Sequence, residues 1–473
     1  MGYGRKIGEK EEVFLLRGNF SNEKVSLQAT SPSLSKTWIS GKVGTEQGNS
    51  WKQRFLKNLK TGVDTMKYDF DEVVNRYHTN ALNTDGFRGY IFHDFAGKKK
   101  FPFKDDEFVR MWVADMEFAM CPDIIQAIKD RADKRIIGYS QVFEPEFYQA
   151  YNAWNQKMYG WTYPKEQICF SLGIIPALYE LVDLLLSDHE YAIVNTPAYG
   201  YFQHPIDYKH KHAIHNKLVR DAEGNWHLDF DALERDASNP FSKLLIWCNP
   251  QNPTGHVWTE EELKKVAEIV ERHNLWIISD EIHCDLLRQG VKHTPMAKIM
   301  PDYDKLIVCT SASKAFNMAG MMFAEIIIRD PQLRQLYIAS TDTYAMNLNP
   351  LSIAAHTAAY EKGGEWLDQL RTYLDGNFQL VKDTFARELP KIVFKIPEAT
   401  YLAWVDMRPY LADVENIPDF MANKAGVLLE GGDALFVDNA NGYIRLNLAM
   451  PRVTVQKGLE RIVKAVKEHA GLR

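Results

Sequence analysis

The sequence predicts an α/β fold: a mainly parallel sheet wrapped by helices, with a smaller α+β domain beside it. Three observations carry that expectation. From about Ile168 onward, short apolar runs alternate with stretches of helical periodicity. The chain has 473 residues, more than one hydrophobic core accommodates. The segments just after the apolar runs are rich in polar and turn-forming residues, as expected at the carboxyl ends of strands in an open parallel sheet, where ligands gather.

The candidate strands are Gln167 to Phe170, Tyr191 to Val194, Lys243 to Cys248, Leu275 to Ser279, Lys305 to Cys309 and Phe323 to Ile328. One helix announces itself by a capping box, Thr259 with Glu262, ahead of Leu263, Val266, Ile269 and Val270. Another is expected over Ala177 to Leu186. Residues 1–65 read differently: Ser, Gly, Lys and Asn dominate, and 11 lysines and arginines face 6 acids, so this stretch carries +5 and the remainder −11 of the total of −6. They are expected to form a weakly folded extension. No secretory pattern is visible there, and Glu9, Glu11, Glu12 and Glu23 disfavour a mitochondrial presequence. An ordered reading begins near Met66, the expected natural start.

Composition narrows the function. Hydrophobic residues make up 45% and charged residues 25%, and no apolar run approaches a membrane span. The net negative charge gives no general attraction to nucleic acid or acidic lipid, so a small molecule or a second copy of the chain is the expected partner. Cys121, Cys169, Cys248, Cys284 and Cys309 are odd in number and widely spaced, which suits a reducing, cytoplasmic setting and small buried hydrophobes. His204, His210, His212 and His215 lack metal-ligand spacing and read as solvated surface, so no metal is expected. Tyr148, Tyr151, Trp154, Met158 and Tyr159 have helical spacing and read as packing surface. Asn19-Phe20-Ser21 is a formal glycosylation sequon, which the cysteine usage argues against.

The loops after the strands carry the chemistry. Ser171-Leu172-Gly173-Ile174-Ile175-Pro176 leads into a helix N-terminus, an anion site by its free N–H groups and dipole. Pro197-Ala198-Tyr199 puts an aromatic ring at a strand end. Asn249-Pro250-Gln251-Asn252-Pro253-Thr254-Gly255 presents Asn252 from a stiff turn. Asp280, at the end of an apolar strand in Ser279-Asp280-Glu281-Ile282-His283, should face a cation. Ser311-Ala312-Ser313-Lys314 sets a lysine among hydroxyls in an apolar context, where it loses charge readily.

Taken in order, these segments resemble fold type I pyridoxal-phosphate (PLP) enzymes of the aminotransferase class I/II superfamily. Val113-Ala114-Asp115-Met116-Glu117-Phe118-Ala119, Gly138-Tyr139-Ser140, Ser313-Lys314-Ala315-Phe316-Asn317, Thr400-Tyr401-Leu402-Ala403-Trp404 and Gly442-Tyr443-Ile444-Arg445-Leu446-Asn447 are similar to the cystathionine β-lyase (C–S lyase) branch, the MalY/PatB group. The resemblance implies a small domain built from 66–134 and 351–473 around a large PLP-binding domain over 135–350. It implies that Lys314 holds the cofactor and moves the substrate α-proton, that Asp280 pairs with the pyridine nitrogen, and that Asn252 donates to the phenolic oxygen. Tyr199 would stack on the ring, while Ser311, Ser313, Gly173, Ile174 and Ile175 would hold the phosphate. Tyr139 would reach that phosphate across a homodimer interface, and Arg445 would clamp the substrate carboxylate. His283 stands where many aminotransferases have a tyrosine, and Met322 where they often have an arginine; both departures look like those of the lyase branch. Glu117 replaces a frequent aspartate.

The implied reaction is α,β-elimination from cystathionine or a related cysteine conjugate, giving a thiol, pyruvate and ammonia. Its competitors are an aminotransferase using the same residues and a cofactor-bearing regulator with little turnover. Deleting residues 1–65 is expected to leave the specific activity unchanged; a clear loss in the truncated protein would show that the extension takes part.

Overall fold

A computed structural model describes residues 66–432 and 435–472. The readings for residues 1–65, the sequon included, lie outside the described residues.

The central sheet contains β1 (Ile168–Ser171), β2 (Tyr191–Thr196), β3 (His212–Lys217), β4 (Ser242–Cys248), β5 (Trp276–Asp280), β6 (Leu306–Thr310) and β7 (Ala324–Ile328). Their spatial order is β1-β7-β6-β5-β4-β2-β3. Alternate side chains serve opposite faces: Ile193, Leu245, Ile277 and Val308 pack into one core, and Val194, Ile246, Ile278 and Ile307 into another. Burial on both faces explains why these strands read as continuous apolar runs. Helices cover the sheet, among them α1 (Pro122–Ala132), α2 (Pro145–Tyr159), α3 (Ile174–Leu185), α4 (Glu260–Arg272) and α5 (Pro350–Lys362). The predicted capping box is present at α4, where Thr259 accepts from the Glu262 N–H and the Glu262 carboxylate accepts from the Thr259 N–H at 2.8 Å.

Three details differ from the sequence reading. β7 runs antiparallel between β1 and β6, because residues 311–323 form the Lys314 loop and one short 3-10 turn instead of a crossover helix. The helix expected from Ala177 starts at Ile174, since Pro176 falls in its first turn, where no intrahelical N–H bond is forfeited. β3 went unrecognised because its histidines and lysine face water at the sheet edge, interrupting the apolar pattern; His212 and His215 are exposed, as a solvated surface requires. The aromatic stretch lies on α2, with Tyr151 and Trp154 buried in the core on one face of the sheet and Tyr159 buried against His293 and Asp285.

A second sheet holds β8 (Leu402–Asp406), β9 (Glu430–Gly431) and β10 (Tyr443–Asn447), with β10 central and antiparallel to both neighbours. Val405, Ile444 and Leu446 pack there against Phe378 and Phe385 of α6 (Gly364–Glu388) and Leu459 and Ile462 of α7 (Arg452–His469). The chain ahead of α1 joins this layer, Val109–Arg110 pairing in parallel with Val427–Leu428.

One polar network lies beneath the Lys314 loop. Glu325 on β7 is fully buried, accepts from the Tyr360 hydroxyl at 2.9 Å and from Thr310 Oγ1 at 3.2 Å, and Thr310 Oγ1 also meets the Tyr151 hydroxyl at 2.8 Å. Burial pushes the Glu325 carboxyl up to about 8, so it is largely neutral at pH 7. Below its ordinary value of 4.5 both folded and unfolded states are protonated; between 4.5 and 8 only the unfolded state ionises, so stability falls as pH rises. Glu325→Gln, neutral at every pH, is expected to melt above the parent protein, with a margin growing between pH 5 and 8 to on the order of 2 kcal/mol. Thermal denaturation across that range checks it, and a margin independent of pH would show that the carboxyl ionises in the fold.

Candidate active site

The register of the parallel strands assembles the site. Cys248 of β4 and Cys309 of β6 both sit opposite Asp280 of β5, so three neighbouring strands stop at one level and release their loops side by side. Backbone bonds extend the ladder one step further, Asn249 N–H to Asp280 O at 3.0 Å and Glu281 N–H to Cys309 O at 2.9 Å. Asp280 is buried; its Oδ1 accepts the Ile282 N–H at 3.0 Å. Burial drives its carboxyl up to about 7 against the pull of that N–H and of Lys314. The cationic partner expected for it is not met by a side chain: Asp280 forms no ion pair among the described residues.

Lys314 hangs from the loop after β6. Its Nζ donates to the Ala114 carbonyl at 2.8 Å, an oxygen that also accepts the Tyr401 hydroxyl at 3.0 Å. Burial above all lowers the proton affinity of this amine, Asp115, Glu430 and Asp280 oppose it, and Arg445 adds to it. A cavity of about 540 Å³ reaches the lysine from the segment Val113–Phe118. Neighbouring Asn317 fastens the loop to that segment through a 2.8 Å bond to the Phe118 carbonyl.

Arg445 comes from the middle of β10 and is 1% exposed. Its register partner on β9 is Glu430, and the two form a buried ion pair through Nη2. Nη1 donates to Asn252 Oδ1 at 3.1 Å, and Nε has no acceptor. The guanidinium lies 5.8 Å from the Tyr199 ring centroid, and Tyr199 is held by antiparallel pairing with Phe436. His283 packs edge-on to Tyr401 and is pushed down to about 3, by burial first and then by Lys314 and Arg445, so its imidazole is neutral. Lys314, Asp280, Asn252, Tyr199, His283 and Arg445 therefore form one electrostatically coupled group.

Ser311 donates to the Phe323 carbonyl at 2.7 Å and meets Ser313 Oγ at 2.9 Å, so two hydroxyls open the loop after β6. At the edge of the sheet, Gly173 adopts φ +144°, a conformation that suits glycine, and α3 starts directly behind it with Ile174 and Ile175. The first-turn N–H groups of α3 have no intrahelical acceptor, and no side chain caps them. Tyr139 is not brought to this group: it is 96% exposed.

These residues fit the cofactor that the resemblance implies. Asp280 is a buried carboxylate lacking a cation, which a protonated pyridine nitrogen supplies; α3 offers N–H donors to an anion; Lys314 offers an amine biased toward its neutral form. Sequence reasoning missed Glu430, the Ala114 carbonyl and the Tyr401 hydroxyl. Glu430 had a usable signal, an acid directly after the apolar run Val427-Leu428-Leu429, which calls for a cation if that strand end is buried. A backbone carbonyl carries no signal of that kind.

The model of the family described as aminotransferase class I and II matches residues 107–462. The chain is similar to cystathionine β-lyase PatB of Bacillus subtilis, 37% identical over 75% of this chain and 92% of that one. It is also similar to protein MalY of Escherichia coli, 31% identical over 85% and 99%. Among solved structures, the PLP-bound C–S lyase of Staphylococcus hominis aligns with a TM-score of 0.79 at 42% identity, covering 85% of this chain and 99% of that one. A family match spanning the site and both sheets agrees with the geometry of the strand ends, and the chain belongs to the aminotransferase class I and II family.

Proposed function

We propose that the chain is a PLP-dependent carbon–sulfur β-lyase that cleaves cystathionine or a related cysteine S-conjugate to a thiol, pyruvate and ammonia. The observation that carries the reading is the environment of Lys314: a buried amine with lowered proton affinity, held at the Ala114 carbonyl and flanked by Asp280 and Arg445. The lyase outcome is supported by the relatives, named cystathionine β-lyase and C–S lyase.

Bound PLP supplies the electron sink for the pair left on the substrate α-carbon. Lys314 Nζ takes the α-proton and retains it close to the reacting atoms. Asp280 would pair with the pyridine nitrogen and, ionised against it, would keep that nitrogen protonated. Tyr199 would pack against the cofactor ring, and Asn252, whose Oδ1 accepts from Arg445, would hold the phenolic oxygen through its amide N–H. Arg445 receives the substrate carboxylate while Glu430 keeps the guanidinium in place. The Cβ–S bond then breaks, the thiolate leaves with the bonding pair, and the released aminoacrylate hydrolyses to pyruvate and ammonia.

The working unit is a homodimer in this reading. Ile136, Ile137, Tyr139 and Phe143 are 75%, 61%, 96% and 69% exposed, an apolar strip that a second copy would cover, with Tyr139 reaching the partner's phosphate. The five cysteines are free and buried, in keeping with a cytoplasmic location, and among the described residues no helix is long and apolar enough to cross a membrane.

Purified protein given L-cystathionine and no acceptor should release pyruvate; amine exchange with a keto acid and no such pyruvate would identify an aminotransferase instead. Lys314→Ala is expected to lose the visible absorbance of bound cofactor and to slow pyruvate release by roughly 10³-fold or more. Light scattering should give twice the chain mass, and Tyr139→Ala should weaken cofactor retention roughly tenfold, the loss of about one hydrogen bond; a fully active monomer would refute the shared site.

A further inference from the structure

The segment Val113–Asp115 belongs to no helix or strand, yet all three of its carbonyls are engaged. Asn447 Nδ2 donates to the Val113 carbonyl at 2.9 Å and to the Asp115 carbonyl at 2.7 Å. A 2.8 Å bond from the Asp115 N–H to the Val113 carbonyl closes a three-residue turn with Ala114 at its apex. The Ala114 carbonyl is left to the other side, where it accepts from Lys314 Nζ at 2.8 Å and from the Tyr401 hydroxyl at 3.0 Å.

Asn447 and Tyr401 reach this segment from one end of the second sheet. Asn447 closes β10 in register with Leu402, the first residue of β8, so Tyr401 stands one position away from it. Both side chains are buried, and Asn447 Oδ1 is tied down by the Ala449 N–H at 2.9 Å. Tyr401 is aimed at a conformational cost. Thr400 before it has φ +70°, a left-handed conformation unusual for a β-branched residue, and is kept there by its N–H bond to the Leu286 carbonyl at 2.8 Å and by the Leu402 N–H on its Oγ1 at 3.1 Å.

A carbonyl that accepts from an amine favours the charged form of that amine, because an ammonium is the stronger donor. A second donor on the same oxygen takes up part of its negative charge and weakens the preference. We propose that Asn447 and Tyr401 are positioning residues for the Lys314 amine: Asn447 turns the Ala114 carbonyl toward Nζ, and the Tyr401 hydroxyl, by sharing that oxygen, keeps it from holding the amine in its charged form. These roles rest on the reading of Lys314 as the amine that meets PLP and are independent of what becomes of the substrate. Asp115, paired with Arg76 at 2.6 Å, and Glu430, Asp280, His283 and Arg445 also act on this amine, and neither substitution below replaces them.

The full chain is freed of PLP, and the rate at which it regains visible absorbance on adding PLP is followed against pH. Only the neutral amine attacks the aldehyde, its nitrogen bonding to the carbon while the oxygen leaves as water, so the midpoint of the profile reports the proton affinity of Lys314. Tyr401→Phe should move that midpoint up by roughly 0.5 to 1 pH unit, the equivalent of about one hydrogen bond. In an Asn447→Ala background, where the carbonyl is released, the same substitution should move it by less than roughly a third as much. Asn447→Ser takes the place of the alanine variant if circular dichroism shows the latter unfolded. A Tyr401→Phe midpoint equal to that of the parent overturns the proposal. So does an equal shift in both backgrounds, which would mean that water entering the vacated space, and not the shared oxygen, governs the amine. A parent protein that gains no absorbance from PLP overturns the reading of Lys314 as well.

Discussion

Asp280 is a carboxylate at the end of an apolar strand, and its burial is the constraint around which the active region is arranged. With no side-chain cation beside it, its proton affinity rises until it is about half ionised near neutrality. The neighbouring Lys314 is subject to the opposite demand, since burial disfavours its charge. Each group is poorly satisfied by the protein alone, and a ligand bearing a pyridinium and an aldehyde relieves both at once. The parallel register supplies the rigidity for this, because strands ending at one level leave their loops little freedom to drift apart.

Arg445 and Glu430 solve the same problem internally. They face each other across β9 and β10, so the most deeply buried guanidinium of the site is neutralised before any substrate arrives. This modifies the picture of Arg445 as an open clamp. Nη2 is paired with Glu430 and Nη1 donates to Asn252, while the buried Nε has no acceptor. The pairing also brings Asn252 and Tyr199 against the same side chain, so one guanidinium fixes the relative placement of both.

Much of this was legible in the sequence because the signals were local. Apolar runs of four to seven residues mark β1, β2 and β4 to β7 to within one or two residues, and Thr259 with Glu262 marks the start of α4. The residues bearing chemistry follow those runs directly. What escaped was set by distant contacts. The direction of β7 depends on what a short connection can span, β3 is an edge strand with a polar outer face, and the Ala114 carbonyl meets Lys314 across 200 positions of sequence.

Because β7 runs antiparallel to β6, the Lys314 loop returns to the sheet beside the point where it left. Residues 311–323 are closed at their base by the Thr310–Glu325 pair, which makes the segment a hairpin-like excursion with both ends nailed to the sheet. Lengthening such a loop carries little entropic cost, about 0.6 kcal/mol per doubling. Its length is therefore weakly constrained by folding and strongly constrained by aim. Insertions there would leave a well-folded protein whose Lys314 amine no longer meets the Ala114 carbonyl.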